Sequence, residues 1–207
     1  MASITESVTN NATAPVLQSF GAGGQMYIAD IWGGFNISNK LDNPLFTFRA
    51  TEINVPNAAQ LTNLTEAQKI GSTMEFKAVQ LGLRVVSLKS GAVLSPAVVQ
   101  DIKSLLASAV ITINYGSNET KIGEFSGLHL MAPVDYVAAD ASNTCAAQNG
   151  AINNTSWINL PVPVVIQANL NIGGTVKFTR PVPASLYAEE NSFGFVVIMS
   201  GLKVVKS

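Results

Sequence analysis

A chain of 207 residues is long enough for one large β domain or two small ones, and sandwiches and barrels of this size are commonly single units. Charged residues make up 12% of it, against about 25% in an ordinary soluble domain, and mean hydropathy is positive at +0.29, so little charge is left to coat a free monomer. The formal net charge is −1, the only arginines are Arg49, Arg84 and Arg180, and no Lys or Arg precedes Lys40, which excludes a basic N-terminal arm that neutralises phosphates.

Residues 1–24 are small and polar and end in Gly21-Ala22-Gly23-Gly24; they read as a flexible N-terminal arm, with residues 25–207 as the folded domain. The glycine run lacks the spacing of a nucleotide-binding loop. Met26 to Trp32 is the first strand candidate, closed by Gly33-Gly34, and Leu45 to Thr51 the second, beyond a turn at Asp42-Asn43-Pro44. A short helical turn lies between Pro56 and Gly71, where Thr65 and Gln68 match a capping box.

From Met74 to Leu88 the apolar positions alternate but change parity. Met74, Phe76 and Ala78 give way to Val79, Leu81, Leu83 and Val85, so a bulge near Val79-Gln80 is needed to keep both halves on one core. Ser95-Pro96 then opens an amphipathic helix, with Ser95 as N-cap and Pro96 where a missing N–H costs nothing; Val98, Val99, Ile102, Leu105 and Leu106 share one face. Ile111, Ile113 and Tyr115 mark a strand, Gly116-Ser117-Asn118 a turn, and Lys121 to Met131 the return strand. The stretch 132–159 is rich in Ala, Asn and Asp, has little periodicity, and is anchored by Trp157.

Ile166, Ala168, Leu170 and Ile172 set up an alternation that predicts a hairpin turning at Gly173-Gly174 into Thr175 to Thr179. After Pro181, Pro183 and a polar connection through Glu189-Glu190-Asn191, Phe193 to Met199 is apolar at nearly every position and requires cover on both faces. No uninterrupted apolar run approaches the roughly 20 residues of a spanning helix. The shortage of charge is therefore read as burial by neighbouring subunits.

Candidate chemistry is sparse. His129, the only histidine, has no partner identifiable by spacing, and Cys145, the only cysteine, excludes an intrachain disulfide and a multi-thiolate zinc site. Gly123-Glu124-Phe125-Ser126-Gly127 carries its serine one position late for a nucleophile elbow. Ser200 and Lys203 match Ser-x-x-Lys by letters, without the motifs that accompany it. Glu189 and Glu190 are adjacent on an extended chain and point apart, and Asp135 and Asp140 have no evident partners. Catalytic, cofactor and metal sites are each read as none. The opening Met-Ala-Ser-Ile-Thr-Glu has neither a positive n-region nor an apolar h-region, so cytoplasmic assembly is expected, and the Asn-x-Ser/Thr triplets (Asn11, Asn36, Asn63, Asn118, Asn153, Asn154) read as products of composition.

About eight strands with one inserted amphipathic helix predict an all-β, single jelly-roll β-sandwich. A long strand (Phe76 to Val86), a helix (Pro96 to Ala109), two strands, a C-terminal hairpin and then Phe195 to Leu202 resemble the jelly-roll capsid proteins of tailless icosahedral bacteriophages, over residues 45–207. The resemblance implies a structural subunit without an active site that forms or decorates a shell through homo-oligomeric packing with other capsid proteins, in a virion assembled in the host cytoplasm. The missing basic arm fits phages whose capsid encloses an internal membrane or whose genome is packaged by other proteins. The alternative is a carbohydrate-binding or adhesive β-sandwich in which Trp32 or Trp157 stacks on sugar rings; an enzyme ranks last.

Overall fold

A computed structural model describes residues 24–71, 74–89, 95–116, 120–127, 157–168, 170–189 and 192–206. The proposed arm up to residue 23, His129, Asp135, Asp140, Cys145 and Glu190 lie outside the described residues, while Gly24, read as the end of the arm, already belongs to the first strand. Along the chain come β1 (Gly24–Asn36), β2 (Asp42–Leu45), α1 (Ala58–Leu61), β3 (Met74–Ser87), α2 (Pro96–Ser108), β4 (Ala109–Tyr115), β5 (Thr120–Ser126), β6 (Trp157–Ile166), β7 (Ile172–Phe178) and β8 (Phe193–Lys206).

The strands form two four-stranded antiparallel sheets, ordered β1-β8-β3-β6 and β2-β7-β4-β5. The pairing is nested: the first strand pairs with the last, the second with the seventh, the third with the sixth and the fourth with the fifth. Two further ladders, β3 on β8 and β4 on β7, complete the sheets.

Strand β8 lies between β1 and β3, and every residue from Phe193 to Met199 is buried, which accounts for its two apolar faces. Phe195, Val197 and Met199 face the space between the sheets, while Val196 and Ile198 join Leu61 and Leu88 in a second cluster on the outer side. The parity change in β3 is absorbed by a register shift between Ala78 and Gln80, so that Phe76, Ala78, Leu81 and Leu83 all enter one core. Opposite that shift, β6 carries extra residues around Pro161 and Pro163 between the pairs Gln80–Asn159 and Ala78–Val164. Proline is tolerated there because β6 is the edge of the sheet among the described strands, with one side that pairs with none of them.

Between the sheets, Phe35 of β1 stacks on Phe195 at a centroid distance of 5.4 Å, and Phe178 of the opposite sheet meets Phe195 edge-on at 5.5 Å. Helix α2 lies between β3 and β4 in the chain. The Ser95 hydroxyl accepts from the Val98 N–H at 3.3 Å, and Pro96 occupies the first turn. Ile102, Leu105 and Leu106 enter the core. At its far end the Ser108 carbonyl accepts from both the N–H and the hydroxyl of Thr179, which ties the helix to the chain just after β7.

Several sequence expectations are corrected. Gly173-Gly174 is not a hairpin turn: both glycines lie inside β7, opposite Asn114 and Ile113, and β6 and β7 belong to different sheets. A Cβ on Gly174 would stand 2.3 Å from the Thr112 carbonyl oxygen, so this glycine serves close strand approach. Gly33-Gly34 does not close the first strand either. β1 runs on to Asn36, and Gly33 leaves room for the buried Phe46 ring, 2.2 Å from where a Cβ would sit. Asp42-Asn43-Pro44 is strand rather than turn, because it pairs with β7, whereas 46–51 is irregular. The short helix is capped at Asn57, in the left-handed region and without a side-chain cap bond, so Thr65 and Gln68 form no capping box. Trp157 opens β6 instead of anchoring a loop.

Candidate functional site

Three surfaces collect the polar and aromatic side chains singled out by the sequence. The first is the outer side of the sheet β1-β8-β3-β6. Trp32, Ile198, Gly82 and Trp157 stand in one cross-strand row. The Trp157 ring lies over Gly82, where a Cβ would come within 2.9 Å of it, and both tryptophans pack on the cluster of Leu61, Leu88, Val196 and Ile198. Two residues along, the row is polar: Asp30, Ser200, Gln80 and Asn159, with the Gln80 amide donating to the Asn159 side-chain oxygen at 2.9 Å.

The outer side of the other sheet is different in kind. Thr112, Asn114, Glu124, Thr175 and Lys177 alternate there with the core residues Ile111, Ile113 and Val176, the ordinary pattern of a solvated antiparallel face.

The second surface is a small cavity at one end of the sandwich. Ile31, Leu64, Ile70 and Phe76 line it together with Asp30, Asn63, Lys69 and Lys203, and it holds about 50 Å³. That is room for a few waters and well below the several hundred Å³ of an ordinary small-molecule site. Lys203 Nζ stands 5.8 Å from the centre of the Tyr27 ring, a cation–π contact.

The third comprises two exposed ion pairs, one between loop residues and one along β5. Lys89 meets Glu189, to which Ser192 also donates at 3.4 Å, and Lys121 meets Glu124 at 2.6 Å. The bonded Lys89 ammonium holds the Glu189 carboxyl below the ordinary glutamate value of 4.5, and Lys121 does the same to Glu124. All four side chains are solvent-exposed, so these pairs tune local order and contribute little to stability.

The letter-level motifs do not converge. Ser200 faces outward between Asp30 and Gln80, whereas Lys203, an odd number of positions on, lies between Tyr27 and Phe76 on the other face. Ser126 ends a strand opposite Val110, and the chain immediately beyond Gly127 lies outside the described residues. Glu189 sits at an exposed loop tip. Among the described residues no three of His, Cys, Asp and Glu are grouped to hold a metal ion, and no helix is long and apolar enough to cross a membrane. The sequence reading missed the Gln80–Asn159 pair, whose residues lie 79 positions apart. No protein-family model and no curated protein matches the chain.

Proposed function

We propose that the chain is a structural subunit of an icosahedral bacteriophage capsid: a single jelly roll that packs against copies of itself and acts through assembly. The observation that carries this reading is the nested pairing of eight strands, first with last through fourth with fifth. It is the wiring expected when one long antiparallel ribbon folds over into two sheets, the arrangement of the jelly roll shared by capsid domains, lectins and cupins. Within that group, the low charge content favours a subunit whose outer surfaces are covered by neighbours. Ile28, Ile53 and Val162, at 70%, 94% and 72% exposure, are apolar side chains that such neighbours would bury.

Sedimentation velocity and negative-stain imaging of the purified chain at rising concentration test this. Large symmetric particles or defined ring-like oligomers are expected; a chain that stays monomeric up to its solubility limit refutes the reading.

The carbohydrate-binding alternative rests on Trp32 and Trp157 sharing one row of the outer face. Both rings pack on apolar neighbours and neither is among the exposed large hydrophobic residues, which leaves little ring area for a sugar. Titration with a glycan panel is expected to leave tryptophan emission unchanged. A saturable response lost in Trp157→Ala would replace the capsid reading with the lectin one.

A further inference from the structure

The four sheet edges are not equivalent. The edge at β6 carries Pro161 and Pro163 and a local irregularity. The edge at β2 is four residues long and contains Pro44. At β5 the edge has a register shift and the Lys121–Glu124 ion pair. These are the devices by which edges are kept from pairing with other chains. Strand β1 has none of them: thirteen residues, from Gly24 to Asn36, contain no proline, lysine or arginine.

Part of the β1 edge is already occupied. The Trp32 N–H donates to the Asn63 side-chain oxygen at 3.0 Å, and the Trp32 carbonyl accepts from the Asn63 N–H and the Thr62 hydroxyl. The Asp30 carbonyl accepts from the Asn63 amide at 2.8 Å. These bonds identify the even-numbered residues as the ones whose backbone groups point away from β8. Below Asp30, the outward groups of Gly24, Met26 and Ile28 meet no other described residue. Among the described residues the open stretch therefore runs from Gly24 to Asp30, with Tyr27 at its midpoint.

We propose that this stretch is a two-fold contact, in which the same segment of a second copy pairs antiparallel with it and each Tyr27 lies opposite its counterpart. In that register Met26 meets Ile28 of the second copy in hydrogen-bonded pairs, and Gly24 meets Asp30. All the free outward groups of the described residues are used, and pairing stops where the Thr62-Asn63 loop begins. The segment from Gly24 to Ala29 is uncharged, and Asp30 opposes a glycine, so no like charges meet. The operator is the two-fold of an isologous contact, which needs one self-complementary surface. Tyr27, at 44% exposure, and Ile28, at 70%, gain cover from it. The contact deepens the subunit reading and rests on it only for its place in a shell.

Cys145 is the only native cysteine, so the crosslinking test is made in a Cys145→Ser chain. Tyr27→Cys places two thiols at a non-hydrogen-bonded antiparallel pair, where Cα atoms stand about 4.5 Å apart and a disulfide closes. Under mild oxidation it is expected to give a covalent dimer, while Thr175→Cys, on the outer side of the other sheet, does not. Ile28→Lys leaves the core intact and sets ammonium groups beside the axis, so self-association measured by sedimentation is expected to weaken about tenfold or more. Ile28→Thr, which keeps the backbone and adds no charge, is expected to retain it.

Crosslinking of Tyr27→Cys no greater than that of Thr175→Cys overturns the contact, as does unchanged association of a normally melting Ile28→Lys chain. A crosslinked dimer that never builds larger particles upholds the contact and refutes the shell. Particles that assemble unchanged from Ile28→Lys uphold the shell and refute the contact.

Discussion

Phe195 is the side chain through which the two sheets grip each other. It is fully buried, stacks on Phe35 at an interplanar angle of 10°, and receives the edge of Phe178 at 74°. Phe195→Ala removes a large buried ring and leaves a cavity between layers, a change that costs about 3–5 kcal/mol. Phe195→Leu keeps most of the volume but gives up two aromatic contacts, each of about 0.5–1.5 kcal/mol, and so costs about 1–3 kcal/mol. Against a total stability of about 5–15 kcal/mol the alanine variant is a large loss.

The assay is equilibrium urea unfolding at a protein concentration low enough to keep the chain monomeric, because assembly adds a concentration-dependent term. The midpoint should fall without a change in slope. A double-mutant cycle between Phe178→Leu, on the opposite sheet, and Phe195→Leu should give a coupling of about 0.5–1.5 kcal/mol. An alanine cost below about 1 kcal/mol, or an additive cycle, would refute the idea that this ring joins the layers.

Gly82→Ala pushes a methyl group to within 2.9 Å of the Trp157 ring, which has to tilt outward; a red-shifted tryptophan emission and a loss of about 1 kcal/mol are expected, and an unshifted spectrum would show that the ring does not lie over Gly82. Ser95→Ala deletes the hydroxyl that accepts from Val98 and should cost about 1 kcal/mol, recovered largely by Ser95→Asp, as read by thermal melting. The pKa of Glu189 is lowered in the folded chain, so its pairing with Lys89 helps stability fully above the ordinary glutamate range and loses that help as pH falls through the lowered value. A carboxyl NMR titration should place its midpoint below 4.5 at low salt and return it towards 4.5 in Lys89→Ala; identical midpoints in the two proteins would rule the pairing out in solution.

The legibility of the chain depends on the range of the interaction involved. Ser95 and Pro96 were readable because capping is settled within one helical turn, and the bulge at Ala78–Gln80 because a parity change has no other way to keep one core. The apolar run from Phe193 to Met199 likewise announced a central strand. Gly33-Gly34 and Gly173-Gly174 misled because a glycine pair has two uses, turning the chain or admitting a close neighbour, and the neighbour is distant in sequence: Phe46 and Phe195 for the first pair, the β4 backbone for the second.

Nor could any local pattern reveal the tryptophan row, the Gln80–Asn159 pair or the open half of β1, since each exists only once the strands are ordered β1-β8-β3-β6. The sequence by itself determined the β character, the inserted helix and its cap, and the need for cover on both faces of the last strand, because periodicity and capping are local. The tertiary structure alone decided which of the described strands are edges, which glycines are contacts and where outward backbone groups meet no other described residue, because those follow from partners dozens of residues away.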